Sequence, residues 1–516
     1  MDEAWHDVDM PVADERSVNC AGIEGKAADT VGKASSGSSG HSHSETLVDN
    51  QEAAAELADW LAEMELTSPK FLRATPVYCI TAGAGRALRT SYNSALVSQE
   101  VEFIRKFVSH SWQSRPFWKT LSLLCFYNWK QAAVASCGSA TLMALLFSLR
   151  QLPGFMKVGR LQQAVFVGPW SLSAGTLTFL LVLMFRRPCE LVFLDRLCIN
   201  QRDVKQKMEG VLNIGACLKR SEKLMIIWDS SYCYRLWCIF ELAAFLRTHE
   251  TPDMLVQPLS VAVLSLLSFM TNVVFCYTSI FLPWDSEITL FGVVLGLCAF
   301  GWLASTVLLN FTTSVEVMQK QLQNFQIADT TCSCCERNHK SADGTPLMCD
   351  REVLLRCIRV WFGSEEEFER SVQESTQAAL VHHLGGLCFP YHYMVTSGLP
   401  ALWVQMDFAA SRWYIGDNTD ALENLVIGIA AIFLTIPANL AATHLCGRCT
   451  SRCRPMVRKL LAAAVCAGLL LASQGTIQIC MSMFRGSPVP GGVVHSAFWL
   501  LPAWALWRSA SSKSKP

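Results

Sequence analysis

Two groups of side chains in this chain have the types and spacing to do chemistry. The first is Cys332-x-Cys334-Cys335-x3-His339, followed by Cys349. Thiolate and imidazole are zinc ligands, and four of these five would complete a tetrahedral site. A short loop that cannot build its own core can be organised by a metal instead. The spacing matches none of the standard zinc-finger patterns, so simple reduced thiols remain the alternative reading. The second group gathers at expected strand and helix ends: His110 and Trp112 after one strand, Asp195 after the next, and Glu241 early in a helix. Ligands bind at the C-terminal edge of an open α/β sheet. An indole there either stacks on a flat ring or packs as a rim aromatic beneath the following helix. Asp195 either meets a ligand hydroxyl or caps the next turn. Taken alone, Glu241 reads as a solvated acid favoured by the helix dipole.

The elements that must position these groups alternate between soluble and membrane-like composition. The chain has 516 residues, 51% hydrophobic and 17% charged, too few charges for an ordinary soluble protein of this length. Net charge is zero and the basic residues are scattered, so no nucleic-acid surface is expected. Residues 1–48, with Ala34-Ser-Ser-Gly-Ser-Ser-Gly-His-Ser-His-Ser44 at their centre, read as a disordered tail. Residues 49–99 read as an amphipathic helix, with Leu57, Trp60, Leu61 and Met64 on one face, and a linker. Thr81-Ala-Gly-Ala-Gly-Arg-Ala87 lacks the third glycine of a dinucleotide loop and reads as a flexible turn.

Residues 100–130 predict a strand over 103–112 and a helix over 117–128. Residues 186–258 predict strand (191–194), helix (205–220), strand (223–228) and helix (235–247), with one more strand over 254–259 as an option. That alternation implies a parallel α/β sheet. Between and beyond these blocks lie uncharged runs long enough to span a bilayer. They predict one transmembrane hairpin within 131–185, a second within 259–315, and four spans within 384–508. Residues 316–375 form a cysteine-containing accessory region, and 509–516 a basic tail. Eight spans put Lys130, Arg186, Arg187, the Arg448–Lys459 cluster and the tail on the cytoplasmic side. This requires the weak 384–404 segment, which holds His392, to span. Arg150, Lys157 and Arg160 then lie outside, which leaves a re-entrant first hairpin open. The expected exterior loops (150–160, 283–287, 405–423, 485–490) contain no cysteine, so a disulfide framework is not expected. Cys446, Cys449 and Cys453 suit acylation better than metal binding.

Four short motifs then occur in order: Val108-Ser-His-Ser-Trp112, Phe193-Leu-Asp195, Ser221 leading a strand toward Tyr232, and Trp237-Cys-Ile-Phe-Glu-Leu242. Together they resemble the TIR domain. Asp195, Cys198-Ile-Asn-Gln201 and Arg235-Leu-Trp-Cys-Ile-Phe-Glu241 are also similar to the fungal heterokaryon-incompatibility domain. The match covers about a quarter of the chain and departs from both families, because membrane runs interrupt it and the loop after the second strand lacks the usual glycine. The resemblance implies a cytoplasmic TIR-like domain within a polytopic helical membrane protein. Some TIR domains cleave NAD at the nicotinamide glycosidic bond, which implies Glu241 as the catalytic residue and His110, Trp112 and Asp195 as nucleotide contacts. Such a carboxylate would stabilise an oxocarbenium-like transition state through the ribose hydroxyls.

Three functions follow as expectations. The chain is a membrane-anchored TIR-like signalling enzyme with NAD as substrate and no required cofactor, zinc aside. Alternatively, the domain is a non-enzymatic assembly module that self-associates. A channel or transporter with a cytoplasmic sensor is the third. The expected location is an integral, multi-pass membrane position with both termini cytoplasmic, and the lipid bilayer as partner.

Overall fold

The computed structural model describes residues 55–89, 97–158, 164–281, 287–340, 349–384, 391–450, 453–483 and 491–512. The expected tail 1–48, the loop 485–490 and most of loop 283–287 lie outside the described residues. The chain divides into two compact units. One takes the described residues within Met1–Thr120, Arg187–Leu259 and Gln319–Ala379, the other those within Leu121–Arg186, Ser260–Met318 and Leu380–Pro516.

The first unit is built on a six-stranded mixed sheet. Its strands are β1 (Arg73–Pro76), β2 (Gln99–Glu100), β3 (Ile104–His110), β6 (Leu191–Phe193), β7 (Ser221–Trp228) and β8 (Met254–Pro258), while β4 (Phe155–Val158) and β5 (Ala164–Val167) pair separately in the second unit. The order is β2-β1-β6-β3-β7-β8, with β6, β3, β7 and β8 parallel and β1 antiparallel to both β2 and β6. β3 and β7 pair from Ile104↔Ser221 through His110↔Ile227. Leu224 to Trp228 are buried without alternation, as expected of a central strand covered on both faces. β3 reads Ile-Arg-Lys-Phe-Val-Ser-His, polar for such a position. Its Lys106 is accommodated by an ion pair with Glu190 at 2.6 Å, and its Phe107 stacks on Phe193 at 4.6 Å.

The crossover from β6 to β7 is two helices, Val204–Leu212 and Ile214–Lys219, where a single helix over 205–220 was expected. The break falls at Asn213, whose amide donates to Glu209 O (2.6 Å) while its oxygen accepts from Thr67 N (2.9 Å). That bond to a distant segment competes with helix continuation. The 81–87 stretch, expected as a turn, instead closes a helix, Val77–Gly85. Gly85 then takes a left-handed φ of 77° against Thr120, where a Cβ would collide. The helix over 55–63 lies on the Asp350–Phe362 helix: Trp361 Nε1 donates to Ala62 O at 2.9 Å, and Arg356 pairs with Asp59 at 3.2 Å. Asp350–Phe362 in turn packs on Leu236–Thr248, with Phe240 and Trp361 ring centroids 5.3 Å apart.

The second unit is helical. Among the described residues, four helices that run through it are long and apolar enough to cross a membrane: Pro116–Ser148, Leu259–Phe281, Asn418–Cys449 and Pro455–Ile477. Leu142, Leu145, Leu177, Leu181, Val274, Phe281, Ile429 and Phe433 are exposed on its surface. Inside, Trp129 meets Phe179 edge-on at 5.1 Å and Phe179 stacks on Phe269 at 4.2 Å. Gly175 admits Trp403, whose ring a Cβ would approach to 2.6 Å. The expected helix 117–128 and the following span form one continuous helix, Pro116–Ser148. The run expected to span 160–186 is helical only over Trp170–Phe185, because Ala164–Val167 forms a hairpin with Phe155–Val158 and Gly168-Pro169 starts the helix late. The 384–404 segment contributes two short helices, Tyr391–Ser397 and Leu399–Tyr414, divided at Gly398. Asp407 sits in the second of these, buried, and accepts from Ser171 N (2.7 Å) and Leu172 N (3.0 Å). It caps another helix, a role its position beside an apolar run did not suggest.

Candidate functional site

His110, Trp112, Asp195, Glu241 and the Cys332–Cys349 cluster all belong to the first unit. At the C-terminal edge of the sheet, β3 runs out into Ser111 and Trp112, and β6 into a helical turn, Asp195–Cys198. The Trp112 indole N–H donates to Asp195 Oδ2 at 3.0 Å, and the Arg196 guanidinium lies 3.8 Å over the Trp112 ring. Asp195 Oδ1 also accepts from Arg196 N at 2.7 Å. Asp195 therefore opens the turn, accepts from the following backbone N–H and holds Trp112, a contact that the sequence did not suggest. His110 is buried and meets Trp112 edge-on at 6.2 Å. The same edge carries a second polar group around Ser111, also buried. Ser231 Oγ donates to Ser111 Oγ at 2.6 Å, and Lys119 Nζ donates to Ser111 O at 2.6 Å. Asp195 is 3% exposed and Arg196 8%, so this edge is filled by its own side chains.

Glu241 is neither a solvated acid nor a cap. It is the sixth residue of Leu236–Thr248, within a run from Leu236 to Phe245 in which every residue is buried, and it is itself 1% exposed. Its Oε2 accepts from Ser109 Oγ at 2.6 Å, and Ser109 Oγ lies 2.8 Å from the Tyr232 hydroxyl. Because the Ser109 proton goes to the carboxylate, Tyr232 is the donor in the second bond. The result is a relay of hydroxyls ending on Glu241. Burial pushes the Tyr232 phenol well above its usual range, with the nearby Cys238 and Glu241 adding to the effect. Ser109 and Tyr232 were not singled out in the sequence. The signal available for the burial of Glu241 was its setting, since it is the only charged residue between Arg235 and Arg247. A helix apolar all round is a buried helix.

The cysteine cluster is brought together. Single ligand atoms of Cys334, Cys335, His339 and Cys349 all lie within 4.8 Å of one another, as do those of Cys332, Cys334 and Asp350. The sulfur separations are 3.9 Å for Cys334–Cys335, 3.8 Å for Cys335–Cys349 and 3.3 Å for Cys332–Cys334. Among the described residues every cysteine in the unit is a free thiol. Asp350 is an addition to the expected set. Its Oδ2 accepts from Trp237 Nε1 at 3.3 Å and lies 3.9 Å from Cys332 Sγ, and burial raises its carboxyl to about 7. Asp350 thus ties Cys332, at the edge of the cluster, to the Glu241 helix. Asn338 and His339 both take left-handed backbone angles, φ 51° and 53°, and His339 N closes on Cys334 O at 2.8 Å.

Comparison of the chain with family models, curated proteins and solved structures returns no match.

Proposed function

We propose that this chain is an integral, multi-pass membrane protein whose α/β unit is TIR-like and serves as an assembly module rather than as an NAD glycohydrolase. The parallel order β6-β3-β7-β8, numbered along the chain as 2-1-3-4, supports the fold half of this reading. It is the order in which a flavodoxin-like doubly wound sheet begins. The membrane half rests on the four membrane-length apolar helices among the described residues, and the basic loops favour a cytoplasmic position for both termini.

The observation that carries the functional half is Glu241 at 1% exposure, held by Ser109 beneath the edge where a ligand would enter. A glycosidic carboxylate has to reach the ribose. Here it would first have to leave Ser109 and break through a run of ten buried residues. Trp112, the other expected nucleotide contact, is likewise engaged by Asp195 and Arg196. With Glu241 and Trp112 both engaged by neighbouring side chains, the domain acts through its outer surface. Two differently tagged copies of the full chain, co-expressed and extracted into nanodiscs at low protein density, are expected to co-purify. Recovery of single copies only, at every expression level, would sink the assembly reading.

A further inference from the structure

We propose that Cys334, Cys335, His339 and Cys349 hold a structural zinc ion that fixes the first turn of the helix carrying Glu241. Tetrahedral zinc with Zn–S bonds of about 2.3 Å sets its thiolates about 3.8 Å apart. The 3.9 Å and 3.8 Å separations along Cys334–Cys335–Cys349 meet that requirement. The 3.3 Å between Cys332 and Cys334 is too short for a pair of ligands on one ion, and Cys332 instead leans on Asp350. His339 has a ring nitrogen within 4.8 Å of the Cys334, Cys335 and Cys349 sulfurs, and so completes a Cys3His set. The two consecutive left-handed residues that swing His339 back onto Cys334 carry a backbone cost, smaller for Asn338, whose short side chain tolerates that region. A coordinate bond to His339 offsets that.

The consequence lies in what the cluster touches. Thr331 N donates to Tyr234 O at 2.6 Å and Leu236 N to Thr331 O at 3.1 Å, so the segment leading into the cluster bridges to the backbone that starts the helix. Arg235 Nη2 donates to Ser333 Oγ at 3.1 Å, and Trp237 Nε1 to Asp350 Oδ2 at 3.3 Å. Ser333 and Asp350 are each chain neighbours of a ligand. The ion therefore clamps residues 331–336 and 349–350 together, and that pair of segments grips Tyr234 to Trp237. Glu241 lies one turn further along the same helix.

Metal analysis of the full-length protein, purified in mild detergent from zinc-replete cells, is expected to give ~1 zinc per chain. Cys349→Ser and His339→Ala are expected to lose it, and Cys332→Ser to keep it. Since a variant can fail through misfolding, the wild-type protein carries the same test. An organomercurial that blocks thiols is expected to release zinc to a colorimetric chelator as the three ligand thiols react. Removing zinc with a membrane-permeant chelator is expected to speed amide exchange across Leu236–Thr248. Zinc-free wild-type protein, or zinc kept by Cys349→Ser and His339→Ala, overturns the site. Loss of zinc in Cys332→Ser overturns the ligand set. Unchanged exchange across Leu236–Thr248 after chelation overturns the clamp.

Discussion

Replacing Ser109 by alanine removes one hydroxyl and leaves two buried groups without their partner. Glu241 Oε2 loses a donor at 2.6 Å, and Tyr232 loses the acceptor at 2.8 Å for its hydroxyl proton. A hydrogen bond to a charged group contributes about 1.5–3 kcal/mol, and Tyr232 keeps only its longer contact with Cys238 O at 3.5 Å. Opening of the Leu236–Thr248 helix should therefore become easier by about 2–3 kcal/mol, which is about 30- to 150-fold in amide exchange. Hydrogen exchange with peptide-level mass analysis is the suitable assay, because a two-unit chain does not unfold in one transition. Glu241→Gln keeps an acceptor for Ser109 and should have a smaller effect. In the double variant the two changes should not add, because they share one bond. Equal exchange in Ser109→Ala and wild type would refute the idea that this relay holds the helix.

Other consequences are simpler to check. Burial raises the Cys198 thiol to about 12, so at pH 8 it stays protonated and should resist iodoacetamide in the native protein, whereas exposed Cys189 should be labelled. Gly175→Ala presses a methyl onto Trp403 and should lower the thermal midpoint of the helical unit by the equivalent of about 1–3 kcal/mol. Asp407→Ala uncaps Ser171 N and Leu172 N inside that unit and should destabilise it by about 1–2 kcal/mol, measured by the same melt. Trp112→Phe keeps an aromatic ring but loses the indole N–H bond to Asp195, so it should expose Asp195–Cys198 to faster amide exchange.

β6 and β7 were legible as short apolar runs closing on a polar edge, β3 by its β-prone residues running into Ser111 and Trp112, and β8 only as an option. β1 was not, since Arg-Ala-Thr-Pro has no period of its own. It is a strand only because Thr75 and Pro76 find Val192 and Leu191. The β4–β5 hairpin was hidden inside an uncharged run that length alone reads as a span. The candidate site was half legible. Residue types marked Trp112, Asp195 and the cysteines, which do meet their neighbours. What the motif could not convey was depth: Trp-Cys-Ile-Phe-Glu names a glutamate without saying which way the helix rolls. Its apolar flanks on both sides decide that, and they turn Glu241 inward. Asp350 was missed because an acid next to a cysteine carries no spacing signal, and only the fold brings it to Trp237.

Nicotinamide release from NAD, followed with full-length protein reconstituted at high density in liposomes beside its Glu241→Ala variant, tests the central claim most directly. Since Glu241 is buried and committed to Ser109, both proteins should release nicotinamide only at the background rate of empty liposomes. Turnover by the wild type that disappears in Glu241→Ala would contradict the account and restore the glutamate as a catalytic residue.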